Sequence, residues 1–188
     1  PFVGEIPDCS PQKSIIKTLL EKKDKNKKNI VKTRQYVIKE GSRDVVNEAF
    51  RVVRTNIDFM AKDKSKNTIL FTSFNPGSGK SFIAANLGLS FAIKGKKVLI
   101  IDGDLRHGSA SAYVNCPSHG LCDYLSGSSN DWRKFVVKDS NYPNLQVLPI
   151  GKVPPNPTEL LEEGNFERIL QEARPDYDYI FIDCPPID

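Results

Sequence analysis

The sequence predicts an α/β fold: a mostly parallel central sheet with helices on both faces, preceded by an extended basic linker. Three observations carry that prediction. Near-continuous apolar runs of strand length alternate with helix-length segments, the pattern of strands buried on both faces. A Gly-rich turn, Asn75-Pro76-Gly77-Ser78-Gly79-Lys80-Ser81, joins the first such run to a helix. Two later runs end in aspartate, at Asp102 and Asp183, and sheets of this class bind ligands beyond the carboxyl ends of their strands.

The elements follow in order. Residues 1–12 are Pro-rich and read as extended chain, and residues 20–34 as a charged linker. The boundary is set there, with an arm over 1–34 and one domain over 35–188. Tyr36 to Lys39 suits a short edge strand. From Arg43 to Ala61, the spacing of Val45, Val46, Ala49, Phe50, Val53, Ile57 and Met60 suits an amphipathic helix. Thr68 to Phe74 is a strand, Ser81 to Lys94 a helix ended near Gly95, and Lys97 to Asp102 a second strand. Short helices are expected at Leu121–Leu125 and Asp131–Val137, and a third strand at Leu145–Pro149. Pro154 to Pro157 is a turn, after which Thr158 caps a helix running to about Ala173. Tyr179 to Asp183 is the fourth long apolar strand. No internal repeat is visible.

Composition narrows the class. A length of 188 residues suits one domain with some chain left over. No apolar run is long enough to span a bilayer, and no secretory signal is visible. The chain begins at Pro1 and ends at Asp188, directly after a strand, so both ends read as cut from something longer. The net charge of +4 is local: residues 13–34 hold nine Lys/Arg against Glu21 and Asp24, and the rest of the chain has 18 basic and 21 acidic residues. That stretch reads as a solvated linker or as a tether near an anionic membrane. Nucleic-acid binding is the weaker option, because no aromatic residues interleave with the lysines. The four cysteines form no Cys-x-x-Cys pair, and His107 and His119 complete no zinc-ligand spacing. Structural thiols in a reduced, cytosolic setting are the default.

Three sets of residues suggest chemistry. In the Gly-rich turn, backbone N–H groups converge on a concavity, and the following helix adds its unpaired N-terminal donors and dipole. Lys80 can reach outer phosphates and Ser81 can ligate Mg2+. Phe74 stands where such loops usually carry their first glycine, and the plain alternative is a strand-to-helix turn with a surface lysine. Asp102 and Asp104 lie two residues apart in extended chain and so project to one side. Beside a triphosphate they can hold Mg2+ or accept a proton from an attacking hydroxyl; alone they are a solvated acidic loop. Asp183 ends an apolar strand, where it can hold the metal through water or simply begin the turn before Pro185. Glu48, Arg51 and Arg54 share one stripe of a helix, either a solvated face or a salt-bridging surface for a neighbouring subunit.

Together these pieces resemble the cytoplasmic kinase domain of bacterial tyrosine kinases, the autokinases of capsule and exopolysaccharide export. The resemblance rests on Phe2-Val3-Gly4-Glu5-Ile6-Pro7, Glu48-Ala49-Phe50-Arg51-Val52-Val53-Arg54-Thr55-Asn56, and the Gly-rich loop. It also rests on Ile101-Asp102-Gly103-Asp104-Leu105-Arg106, Pro154-Pro155-Asn156-Pro157-Thr158-Glu159-Leu160-Leu161, and Asp183-Cys184-Pro185-Pro186. The lysine content and the loop variant are similar to the Bacteroides-type branch. The resemblance implies a P-loop NTPase-like fold using ATP and Mg2+. Walker A is Asn75 to Ser81, with Phe82 beside it at the nucleotide; Walker A′ covers Asp102 and Asp104; Walker B ends at Asp183. It implies catalytic roles for Lys80, Asp102, Asp104 and Asp183, and metal ligation by Ser81, Asp104 and Asp183.

It further implies a ring-forming homo-oligomer with Glu48, Arg51 and Arg54 at its contacts. Tyrosines in the C-terminal tail of a neighbouring subunit would be phosphorylated. The partner would be a membrane-spanning chain-length regulator region, of the same or another protein, at the cytoplasmic face of the inner membrane. No nucleic acid is implied. Two departures stand out. The family continues past Walker B to a tyrosine-rich tail that this sequence lacks, and Tyr177 and Tyr179 read as strand residues rather than acceptors. His107 stands where Lys or Arg is usual. Two rival readings are a switch ATPase of the ParA/MinD type, disfavoured because no lysine lies between Lys66 and Lys80, and a non-catalytic ATP-binding assembly module.

Overall fold

Strand pairing follows from where the apolar runs fall. The computed structural model describes residues 3–6, 34–61, 67–162 and 165–187. In chain order it contains α1 (Val45–Met60), β1 (Thr68–Phe71), α2 (Lys80–Ala92), β2 (Val98–Asp102), α3 (Leu121–Leu125), β3 (Val137–Lys138), β4 (Leu145–Leu148), α4 (Pro157–Glu162), α5 (Asn165–Ala173) and β5 (Tyr179–Asp183), with 3-10 turns at Ser111–Val114 and Trp132–Phe135. The strands form one sheet in the order β1-β5-β2-β4-β3. β1, β5, β2 and β4 run parallel, and only β3 is antiparallel to its neighbour β4.

Side chains alternate across a strand, and here the alternation divides two apolar layers. Val98, Ile100, Val147, Tyr179 and Phe181 face the layer containing Phe50, Leu87 and Phe91 of α1 and α2. Leu99, Ile101, Leu148, Ile180 and Ile182 face Leu121 and Leu125 of α3, Trp132, and Ile169 and Ala173 of α5. Every residue of β2 and β5 is buried, which accounts for their near-continuous apolar sequence. α2 is buried along almost its whole length and is apolar around its circumference, as a core helix must be. α1 covers it with Phe50 and Val53, and its start is fixed by Asp44, whose side chain accepts the Val46 and Asn47 N–H groups at 3.0 and 2.9 Å.

Four expectations are corrected. Residues 36–39 form no strand: the Val37 and Ile38 amides go to the Asn86 side-chain oxygen on α2, at 2.8 and 3.3 Å, instead of to a neighbouring strand. The helix expected from Thr158 to Ala173 is two helices. Pro157 takes the first helical position of α4, suiting its fixed φ and missing N–H, so Thr158 lies inside the helix. The segment 131–137 is a 3-10 turn running into β3, not an α-helix. Tyr177 precedes β5, donating from its hydroxyl to Gln146 Oε1 at 2.8 Å, whereas Tyr179 opens the strand as expected. The tether and linker readings of the basic stretch fall outside the described residues, apart from Arg34. No helix among the described residues is long and apolar enough to cross a membrane.

Candidate active site

The Gly-rich loop leaves β1 and enters α2. Gly77 and Gly79 have φ of 77° and 92°, the left-handed region that favours glycine. A Cβ at either would meet no heavy atom within 4 Å, so backbone conformation, not crowding, selects glycine. Gly79 is the N-cap of α2 and supplies no side-chain cap. The first amide of the helix bonded to a carbonyl of its own turn is Ile83 N–H, to Gly79 O at 2.9 Å. The Lys80, Ser81 and Phe82 amides are the ones an α-helix leaves without intrahelical acceptors, at the positive end of its dipole. The Phe82 ring packs inward on the core, 6.1 Å from the Phe50 ring, which leaves its N–H to the loop. Phe74 is 83% exposed.

The chain after β5 runs along this loop. Cys184 N–H donates to Phe71 O at 2.9 Å, and Ile187 N–H to Ser73 O at 2.8 Å. Asp183 is thereby fixed beneath the loop. Across the sheet it is in register with Asp102, and Gly103 N–H donates to Asp183 O at 2.8 Å. A Cβ on Gly103 would stand 3.1 Å from that same oxygen, so the glycine permits this close approach.

Both strand-end aspartates have 0% exposure. Asp102 Oδ2 accepts the Ser111 N–H and the Ser111 hydroxyl, each at 2.7 Å. Asp102 Oδ1 and both Asp183 oxygens are buried without a hydrogen-bond partner. Burial pushes the Asp102 carboxyl up to about 7, against the pull of Ser111. Burial also raises Asp183, opposed by the nearby Ser81 hydroxyl and Lys80 ammonium. Asp104 accepts the Arg106 and His107 amides at 3.3 Å, and His107 Nδ1 lies 3.2 Å from each of its oxygens. His107 is otherwise open to solvent. With the loop as it stands, Asp102 presents no atom to a substrate hydroxyl, and Asp104 is the carboxylate of the pair nearer the surface.

On the outer face of α1, Arg51 pairs with Glu48 in the open. Arg54 does not extend that stripe. It is half-buried, and its Nη1 donates to the Ser90 carbonyl at 2.9 Å and the Ser90 hydroxyl at 3.0 Å, tying α1 to α2. A cleft of about 510 Å³ lies beside Glu48, lined by Glu5, Arg43, Val45, Ala49 and Val52.

A family model described as an AAA domain matches residues 66–187. The tyrosine-protein kinase CpsD of Streptococcus agalactiae is 41% identical over 143 residues, covering 74% of this chain and 60% of its own length. The solved BceF tyrosine kinase domain is 30% identical, covers 99% of this chain and 72% of its own, and superposes with a TM-score of 0.82. The chain belongs to the bacterial tyrosine kinase family.

The chain spans about 60% of the length of curated relatives such as CpsD. A more distant neighbour is the septum site-determining protein MinD from Pyrococcus horikoshii, crystallised with Mg-ADP, at 27% identity and a TM-score of 0.56. It covers 65% of this chain and 50% of its own. As a tyrosine kinase family member the chain has a nucleotide-binding fold, and three buried carboxylate oxygens without partners at one end of a sheet fit a divalent cation. Among the described residues no three His, Cys, Asp or Glu side chains are grouped to hold a metal by themselves. That suits Mg2+, which keeps several waters and takes one or two carboxylates together with substrate phosphates.

Ser111 was not legible in the sequence. A lone serine nine residues after Asp102 carries no motif, and only the return of the chain against the end of β2 shows its contact.

Proposed function

We propose that this chain is the phosphotransfer domain of an ATP-dependent protein-tyrosine autokinase that regulates capsular or exopolysaccharide export. It acts on tyrosines of a neighbouring subunit, within a homo-oligomer held at the cytoplasmic face of the inner membrane by a chain-length regulator region. The observation that carries this reading is the meeting of a Gly-rich loop and helix start with three buried, unpartnered carboxylate oxygens.

The loop amides and Lys80 hold the outer phosphates and spread their developing charge. When bound, Mg2+ would be held by Ser81, Asp104 and Asp183 and would supply positive charge to the phosphate oxygens. The acceptor tyrosine arrives protonated, since its ordinary pKa is near 10. Asp104, the less buried of the pair, is the carboxylate able to take or orient that proton, while Asp102 at the end of β2 is closed to it. Catalysis is then mostly positioning and electrostatics.

A switch ATPase is the second reading, favoured by the likeness to MinD and opposed by Asn75 at the loop position where such proteins carry a lysine. The full-length protein is incubated with Mg-ATP and assayed for phosphotyrosine and for free phosphate. Phosphotyrosine that is lost in Lys80→Met supports the kinase. Phosphate release alone supports the switch ATPase, and neither product leaves a binding module.

A further inference from the structure

Ser111 is 1% exposed and sits where the loop after β2 turns back against the end of β4. Its contacts form a closed set. Its N–H and its hydroxyl both donate to Asp102 Oδ2, each at 2.7 Å. Its hydroxyl oxygen in turn accepts the Ile150 N–H at 2.9 Å. Because an amide already approaches that oxygen as donor, the hydroxyl proton is directed at Asp102 and nowhere else. Two donors converge on one carboxylate oxygen, and the other, Asp102 Oδ1, has no partner. The carboxylate is therefore held asymmetrically, and its rotation about the Cβ–Cγ bond would break both bonds.

We propose that Ser111 is a positioning residue of the phosphotransfer site: by holding Asp102 through Oδ2 alone, it leaves the buried Oδ1 without a protein partner, reserved for a water of the magnesium that Ser81, Asp104 and Asp183 would hold. The Ile150 amide anchors the serine from the end of β4, so three neighbouring chain segments fix one oxygen. This assignment rests on the reading of the site as one that takes a magnesium nucleotide. A bond from a hydroxyl to a charged partner is worth more than one between neutral groups, so its loss should register at the metal-dependent step and not only as lost stability.

The test uses the full-length protein with Ser111→Ala and Ser111→Thr, the second keeping the hydroxyl while adding a methyl to a filled site. Binding of a fluorescent ADP analogue is titrated with and without Mg2+, alongside melting temperature and the kcat and KM of phosphotransfer. The expected result is a loss of about tenfold in the affinity gained from Mg2+ for Ser111→Ala, with metal-free affinity unchanged. Its kcat should fall while KM for the acceptor holds. Ser111→Thr should regain most of the Mg2+ effect even where its melting temperature is as low as that of the alanine variant. A wild-type Mg2+ effect in Ser111→Ala would overturn the assignment, as would Ala and Thr variants whose Mg2+ effect falls in step with melting temperature. A wild type whose nucleotide affinity ignores Mg2+ also overturns it. If the wild type binds Mg-nucleotide but makes no phosphotyrosine, the kinase reading fails, while the binding arm still decides the role of Ser111.

Discussion

Two clusters of charged side chains treat their hydrogen-bonding capacity in opposite ways. On the flank, Glu172 is surrounded by donors: Arg168 Nε at 2.7 Å, Arg133 Nη1 at 2.7 Å and the Trp132 indole at 3.0 Å. Arg133 also reaches Asp176 and lies 4.6 Å above the Trp132 ring. These contacts, led by Arg168, hold the Glu172 carboxyl at about 2, well below its ordinary value. At the ends of β2 and β5, three carboxylate oxygens are buried without a hydrogen-bond partner, and burial drives the pKa values of both aspartates upward. The flank cluster is satisfied within the chain and docks a 3-10 turn onto α5. The strand-end cluster is destabilising until something outside the chain completes it. Between these two charged clusters it is satisfaction that separates scaffold from site, although Tyr36 Oη, Asn67 Oδ1 and Thr68 Oγ1 are also buried without partners.

That contrast can be broken most severely at Asp183. Asp183→Asn in the full-length protein should lower phosphotyrosine formation by about a thousandfold, on the scale of losing one preorganised electrostatic group. At the same time it should raise the melting temperature of the nucleotide-free protein. A variant that is inactive and also less stable would place Asp183 with the scaffold. Next in size is a pH effect. Below about pH 4 Asp102 is protonated whether the chain is folded or not. Between there and about 7 the folded chain still binds the proton that the unfolded chain has released. Nucleotide-free stability should therefore fall as pH rises through that window, by up to about 4 kcal/mol. Chemical denaturation at pH 4 and pH 8 measures it, and Asp102→Asn should shrink the difference to the part that the raised Asp183 carboxyl contributes.

Smaller effects sharpen the comparison on α1. Arg54→Ala should cost about 1 kcal/mol of stability, because it removes two bonds to Ser90. Arg51→Ala should leave the melting temperature within about 1 °C, because its side-chain partner among the described residues, Glu48, is on the open surface. If assembly depends on that face, sedimentation should show Arg51→Ala weakening the oligomer without weakening the fold. A small change is also expected at Glu172→Gln: a drop of no more than about 2 °C and unchanged phosphotransfer.

Much of the fold was legible because local pattern and final environment agree. Both ends of β5 and of α3 were placed correctly, since Tyr179–Asp183 is apolar up to its last residue and Leu121–Leu125 follows a glycine. The loop and the two acidic strand ends were legible for the same reason: each is a short motif at the end of a strong strand signal. The edges were not. Val137–Lys138 is a strand only because β4 lies beside it, and residues 36–39 lost their expected pairing to the side-chain amides of Asn86 and Asn47. Arg54 shares the helical stripe of Arg51 in sequence, yet its depth is set by Ser90, 36 residues away. Ser111 belongs to the same class, as a contact made by tertiary return and invisible to spacing.

Asn86 has a mechanical consequence. Its oxygen grips the backbone at residues 37 and 38, and its Nδ2 donates to Phe82 O at 2.9 Å, in the opening turns of the helix that begins with Lys80. A pull on residues 37–38 either tears those grips or is delivered to α2 as a whole, which moves as a stiff rod. Tension arriving from the amino-terminal side is thus felt at the helix start where the phosphates would rest, two turns from the point of attachment.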